Sequence, residues 1–164
     1  MKKYFQAPWH WKYLAIASLA SLFCVAINFI ICMIIIYADW KIPGYRFEES
    51  LLSLSTKNLF WTSLIAIAYV LIAPILEEVL FRGVTLQYLT TKFGNKVSIP
   101  ATILISVLLV LPFHSPIPSL IFSSIATVIT IKNNSIWPAV IFHIANNAAI
   151  FALLLFVGKG LIAL

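Results

Sequence analysis

The run from Tyr13 to Ala38 constrains the fold most, because nearly every residue in it is apolar or small. A helix needs about 20 apolar residues to span the hydrocarbon core of a bilayer. The run also exceeds the roughly 7–15 apolar residues of a cleaved signal peptide. Of the 164 residues, 62% are hydrophobic and only 10% are charged, which is too apolar for a soluble domain. The chain is therefore predicted to be a membrane protein with a retained first span.

Prolines, glycines and charged residues divide the remaining chain into further apolar segments. A second helix is predicted from Leu59 to about Leu76, with a kink or break at Pro74. Helical character should resume after the break and end near Gly94. The later apolar segments are 99–111, 117–131 and 136–157. The fold class is accordingly all-α, a multi-pass transmembrane bundle of about five to seven helices around a polar intramembrane site.

One membrane domain accounts for the whole sequence, since no internal repeat or second domain is found. Its parts are an N-terminal span with a polar connection (1–58), a helical core (59–157) and a short tail (158–164). The net charge is +6. Lys2, Lys3 and Lys12 precede the first span, which favours a cytoplasmic N-terminus.

Basic residues form no stripe interleaved with aromatic residues, so nucleic acid is not an expected partner. The expected contacts of the positive charges are lipid headgroups. Cys24 and Cys32 both fall in the first apolar run and have no CxxC spacing. We therefore interpret them as reduced packing residues and not as metal or redox sites.

Ionisable and amide side chains at membrane depth are costly and usually mark function. In this sequence they are few: Glu77, Glu78, Arg82, His114, His143, Asn146 and Asn147.

Helical spacing separates the two adjacent glutamates. Glu78 and Arg82 are four positions apart, with the acid on the N-terminal side, so they can form an ion pair on one helix face. Glu77 is turned about 100° away from that face. It is left without a charged partner in its own segment. The alternative is that all three charges form one cluster that only fixes helix packing.

A second polar pair lies near the C-terminus. His143 and Asn147 share one helix face, and Asn146 lies further from it. This pair is compatible with a site and equally with an interhelical hydrogen bond. His114 stands between Pro112 and Pro116, where a broken helix end could line a cavity.

Together these residues suit hydrolysis. A carboxylate or a metal can activate water, and an imidazole can position that water or share its proton. A His–Asn pair can donate hydrogen bonds to a developing oxyanion. No serine or cysteine with a neighbouring base stands out as a nucleophile.

The same residues resemble the motifs of the CPBP family, the CAAX-protease and bacteriocin-processing intramembrane proteases also called Abi proteins. Glu77, Glu78 and Arg82 match the family's EExxxR motif, and His143 with Asn147 matches HxxxN. The FxxxH motif is matched only by His114. Val110 stands at its aromatic position, and the nearest aromatic residue is Phe113. The resemblance covers roughly residues 60–155.

By this resemblance, Glu77 would be the general base and His114 would hold the attacking water. His143 and Asn147 would form the oxyanion site, beside a structural ion pair of Glu78 and Arg82. The sequence is compatible with a metal-free and with a zinc mechanism. Glu77, His114 and His143 would be the candidate zinc ligands, but HExxH spacing is absent.

The predicted function is an intramembrane endopeptidase in the cell membrane, acting on a membrane-associated protein or peptide. A bacteriocin precursor is one candidate substrate. The first alternative is a bacteriocin self-immunity protein, which would bind a toxin or its receptor with or without proteolysis. The second is a small transporter or channel subunit.

Overall fold

The computed structural model describes residues 4–5, 11–37, 58–111, 114 and 116–158. The predicted polar connection from Asp39 to Asn58, apart from Asn58 itself, and most of the predicted tail lie outside these residues. Within them the chain is helical and contains no strand, which confirms the all-α class. Five helices account for nearly all of this part: α1 Lys12–Tyr37, α2 Leu59–Phe93, α3 Asn95–Val110, α4 Pro116–Asn133 and α5 Trp137–Gly158.

Two of these helices, α2 and α5, contain apolar segments long enough to cross a membrane, at Leu59–Phe93 and Trp137–Phe156. The bundle also has the polarity of a membrane protein. Large apolar side chains such as Leu59 and Leu76 point outward, with 80% and 63% of their surface exposed. Small polar side chains are buried instead at positions along α3 and α4: Ser98, Thr102, Ser106, Ser123, Thr127 and Thr130. Such residues let helices approach closely and form hydrogen bonds where the surroundings are as apolar as the helix surface.

Helix α2 runs through Pro74 without ending, so of the predicted kink or break the break is wrong. Two π-helical segments, Ala66–Ile72 and Val79–Thr85, flank the α-helical segment Ala73–Glu78. The Ala73 amide already donates to the Ala68 carbonyl, five residues earlier. Proline removes one donor from the helical ladder. Because the hydrogen bonds just before Pro74 span five residues in place of four, the helix stays continuous although Pro74 lacks a donor.

A single residue, Gly94, turns the chain from α2 into α3. Its amide donates to the Thr90 carbonyl at 3.0 Å, which closes the last turn of α2. Beyond the turn, the Thr90 hydroxyl donates to Ser98 Oγ at 2.8 Å, so the two helices fold back on each other. Gly94 has φ 73° and ψ 172°, a conformation that is essentially restricted to glycine.

Three apolar clusters hold the helices together. The first joins α1 to α4 and α5 and contains Ala17, Cys24, Ala126, Ile129, Ala139 and Phe142. Cys24 is a buried packing residue, as predicted. The second joins α2 to α5 through Ile65, Tyr69 and Phe151. In the third, Tyr4 from the N-terminal segment packs on Leu86 of α2 and Ile136 at the start of α5.

We expect Gly94→Ala to destabilise the protein by about 1–3 kcal/mol, because a Cβ atom is strained at this φ and ψ. The space around Gly94 is open, so the loss would come from backbone conformation and not from a clash. Thermal unfolding in detergent measures the effect. Lys96→Ala, an exposed change two residues later, serves as the control. Equal melting temperatures for the two variants would contradict the expectation.

Candidate active site

Glu77 and Glu78 occupy the last two positions of the α-helical segment Ala73–Glu78, and Arg82 lies in the π-helical segment that follows. Arg82 Nη1 donates to Glu78 Oε1 at 2.9 Å. The structure thus places the two residues as an ion pair four positions apart. Their side chains are completely enclosed, with 0% and 2% of the surface exposed.

The Arg82 guanidinium also reaches helix α4. Its Nη2 donates to Ser123 Oγ at 2.9 Å and to the Ser123 carbonyl at 3.1 Å. Ser123 forms a further hydrogen bond with Ser106 of α3. One buried cation therefore connects α2, α3 and α4, which anchors the helix that carries both glutamates.

Glu78 has a second partner that the sequence analysis did not foresee. Its Oε1 lies 2.9 Å from Nδ1 of His143 on α5. Since a carboxylate accepts, Nδ1 carries the proton and donates, which leaves Nε2 as the other functional nitrogen. The spacing of EExxxR gives no sign of this contact, because it joins helices far apart in the sequence. Glu78 therefore orients an imidazole in addition to neutralising Arg82.

Glu77 faces the opposite nitrogen of the same imidazole. Its Oε2 lies 3.9 Å from His143 Nε2, and 30% of its side chain is exposed. This separation is too long for a direct hydrogen bond, but at such distances a bridging water can join two polar groups. The structure therefore turns Glu77 toward His143 and the cavity, while Glu78 makes the contact with Arg82.

His114 and Asn147 meet at Tyr69 of α2. The His114 ring lies 6.4 Å from the Tyr69 ring, measured between centroids. Asn147 Nδ2 donates to the Tyr69 carbonyl at 3.0 Å. The interhelical hydrogen bond that the sequence left open is thus present for Asn147. An amide nitrogen carries two hydrogens, so Asn147 keeps a second donor for other partners.

All four predicted catalytic residues line one cavity with about 850 Å³ of empty space, counted out to its opening. Arg82, Asn146 and several serines add polar groups, while residues of α1, α3 and α4 supply an apolar wall. That wall includes Cys24, Ile27, Val107, Val110, Ile121 and Phe122. Apolar walls with a few polar groups directed at one point are typical of ligand sites.

The aromatic contact of the site comes from an unexpected helix. Val110, at the aromatic position of the FxxxH motif, lines the cavity. Phe122 of α4 packs its ring 4.4 Å from the His143 ring and stacks on Phe142 at 4.6 Å. The sequence contains no signal for Phe122, which stands among other apolar residues. Phe113 lies outside the described residues.

The candidate zinc ligands do not converge on one point. Among the residues with described side chains, no three His, Cys, Asp or Glu side chains lie close enough to hold one ion. This arrangement does not fit a zinc site with three protein ligands, so we derive no step through a metal.

These features define an all-helical membrane protein with a buried carboxylate–imidazole site. The family comparison agrees: residues 59–149 match the family of Type II CAAX prenyl endopeptidases described as Rce1-like. The match covers more than half of the chain, and the protein belongs to this family. Neither the curated proteins nor the solved structures contain a match. Membership supports an endopeptidase with a membrane-associated protein as substrate.

Replacing one partner of the buried ion pair should lower the stability of the fold more than replacing both partners. We expect Arg82→Met to destabilise the fold by about 3–5 kcal/mol, because it leaves Glu78 charged and enclosed. The double variant Glu78→Gln/Arg82→Met should recover a large part of that loss. Unfolding of both single variants and the double variant gives the coupling energy. Additive losses would show that the two side chains do not stabilise each other.

Proposed function

We propose that this protein is an intramembrane endopeptidase in which Glu77 and His143 activate a water molecule. The observation that carries the proposal is the position of Glu77 Oε2, 3.9 Å from His143 Nε2, with the other imidazole nitrogen held by Glu78 at 2.9 Å. A carboxylate behind an imidazole fixes its tautomer and its orientation. The free nitrogen is then available for a water next to a second carboxylate.

In the proposed reaction, one water donates a hydrogen bond to Glu77 Oε2 and a second hydrogen bond to His143 Nε2. Its oxygen lone pair is then free to attack the carbonyl carbon of a peptide bond. Glu77 takes the first proton as the C–O bond forms, which yields a tetrahedral oxyanion. When the intermediate collapses, the C–N bond breaks and Glu77 returns the proton to the leaving nitrogen. The products are a carboxylic acid and an amine.

The geometry supports a different division of roles between the histidines from the one that the family resemblance implies. His143 is the imidazole that faces Glu77, so we assign it to the water. His114 and Asn147 line the same cavity beside Tyr69, and we assign them to the oxyanion. Asn147 can use its second amide hydrogen for that purpose, since the first is donated to the Tyr69 carbonyl.

For the membrane arrangement we propose a multi-pass protein of the cell membrane with a cytoplasmic N-terminus. The three lysines at or before the start of α1 support this orientation. The core of residues 59–157 would contain the site. Residues 1–58 would add the first span and the polar connection, and residues 158–164 would form the tail. A bacteriocin precursor remains one candidate substrate, whereas the family description favours a protease over an immunity protein.

Glu77→Gln should lower the rate of peptide cleavage by about 10²–10⁴-fold, because the amide cannot accept the proton from water. The assay uses purified protein in detergent with a panel of internally quenched peptides. The panel contains prenylated and unprenylated CAAX peptides and apolar peptides. Leu76→Ala is the control, since Leu76 is adjacent and faces outward with 63% exposure. Equal cleavage by wild type and Glu77→Gln, with both folded, would rule out the proposed base.

Chelation tests the metal-free mechanism. We expect cleavage at an unchanged rate after treatment with EDTA, because the described carboxylates and imidazoles do not form a three-ligand site. Loss of activity that returns on addition of Zn²⁺ would instead support the zinc alternative, with Glu77, His114 and His143 as the candidate ligands.

A further inference from the structure

Helices α2 and α5 run antiparallel and meet at three levels. At one end Tyr69 packs on Phe151 and its carbonyl accepts a hydrogen bond from Asn147. In the middle, Glu77 and Glu78 face His143. At the other end, the contact depends on a residue from outside both helices. Tyr4, with only 4% of its surface exposed, packs between Leu86 and Ile136.

The backbone of the N-terminal segment also contributes to this end. The Tyr4 carbonyl accepts a hydrogen bond from the Ile136 amide at 3.1 Å. This amide immediately precedes the first turn of α5, where backbone donors have no partner within the helix. Tyr4 thus satisfies a donor at the start of the helix that presents His143.

Phe5 makes the matching contact on α2. Its ring lies directly against Gly83, so that a Cβ atom added there would stand 2.5 Å from Phe5 Cζ. Glycine within a helix costs up to about 1 kcal/mol relative to alanine. The approach of the Phe5 ring gives a physical reason for a glycine directly after Arg82. Together, Tyr4 and Phe5 form what we call the N-terminal clasp.

We propose that the N-terminal clasp positions the catalytic groups by holding α2 and α5 at the separation that places Glu77 opposite His143. The clasp does not touch the reacting atoms, so Tyr4, Phe5 and Gly83 act as positioning residues. Both glutamates lie within one to two helical turns of Gly83 along α2, and His143 lies about two turns beyond Ile136 along α5. Loss of the clasp would free one end of the helix pair, and misplacement of reacting groups by about 1 Å can cost 10²-fold in rate.

The kinetic test rests on the proposed function. We expect Tyr4→Ala and Phe5→Ala to lower kcat by about 10–100-fold with KM nearly unchanged, at a temperature well below unfolding. Trp11→Ala is the matched control, because this aromatic residue is 79% exposed and lies just outside the clasp. An unchanged kcat in folded Tyr4→Ala and Phe5→Ala would overturn the proposal, even if their melting temperatures fell.

The Phe5–Gly83 contact gives a sharper test within the same assay. Gly83→Ala should displace the Phe5 ring and therefore lower kcat to a similar extent as Phe5→Ala. The double variant Phe5→Ala/Gly83→Ala should be no slower than either single variant, because the contact is lost only once. Multiplying losses in the double variant would mean that the two residues act separately and would contradict the clasp.

A distance measurement tests the clasp without any catalysis. Spin labels would be placed at Tyr88 of α2 and Trp137 of α5, both exposed, in an inactive Glu77→Gln background with Cys24 and Cys32 replaced by alanine. Phe5→Ala should broaden or shift the distance distribution measured by double electron–electron resonance, whereas Trp11→Ala should not. An unchanged distribution would overturn the clasp. A shifted distribution, combined with a wild-type protein that cleaves no peptide of the panel, would instead count against the proposed function alone.

Discussion

The enclosed carboxylate of Glu78 is the group on which the rest of the site depends. A charge without surface exposure costs several kcal/mol unless it is paired and hydrogen-bonded. One oxygen of Glu78 therefore accepts from both Arg82 and His143, each at 2.9 Å. Arg82 continues to Ser123 on α4, and His143 belongs to α5. The need to neutralise one buried charge thus brings three helices together and fixes the ring of the imidazole.

Two neighbouring glutamates can consequently carry different tasks. Glu78 is enclosed and must stay ionised to keep its two partners, so a proton there would weaken the packing. Glu77 faces the cavity and makes no short ion pair among the described residues. It can gain and lose a proton while the helices stay in place. In the proposed mechanism, this separation lets one carboxylate exchange protons while the other keeps the helices together.

Local spacing predicted the parts of this arrangement that lie within one helix. The pairing of Glu78 with Arg82 and the common face of His143 and Asn147 both follow from 3.6 residues per turn. Contacts between distant segments had no comparable signal: Glu78 with His143, Phe122 with His143, and Tyr4 with Ile136. Of the kink or break predicted at Pro74, the break is wrong, because the backbone bonds just before the proline already span five residues and the proline alone gives no sign of them.

The two π-helical segments of α2 have a consequence for how its sequence can change. A π turn holds one residue more than the corresponding α turn, so each segment corresponds to an α-helix into which one residue has been inserted. Removing one residue from Ala66–Ile72 could convert that segment to regular α-helix with every backbone bond still made. Because each residue of a π turn rotates the chain by less than the 100° of an α-helical residue, the residues on the two sides of the deletion would keep nearly the same relative orientation. Sequences one residue shorter in this segment would therefore still present Glu77 to His143, whereas a deletion within Ala73–Glu78 would turn the residues on its two sides out of alignment.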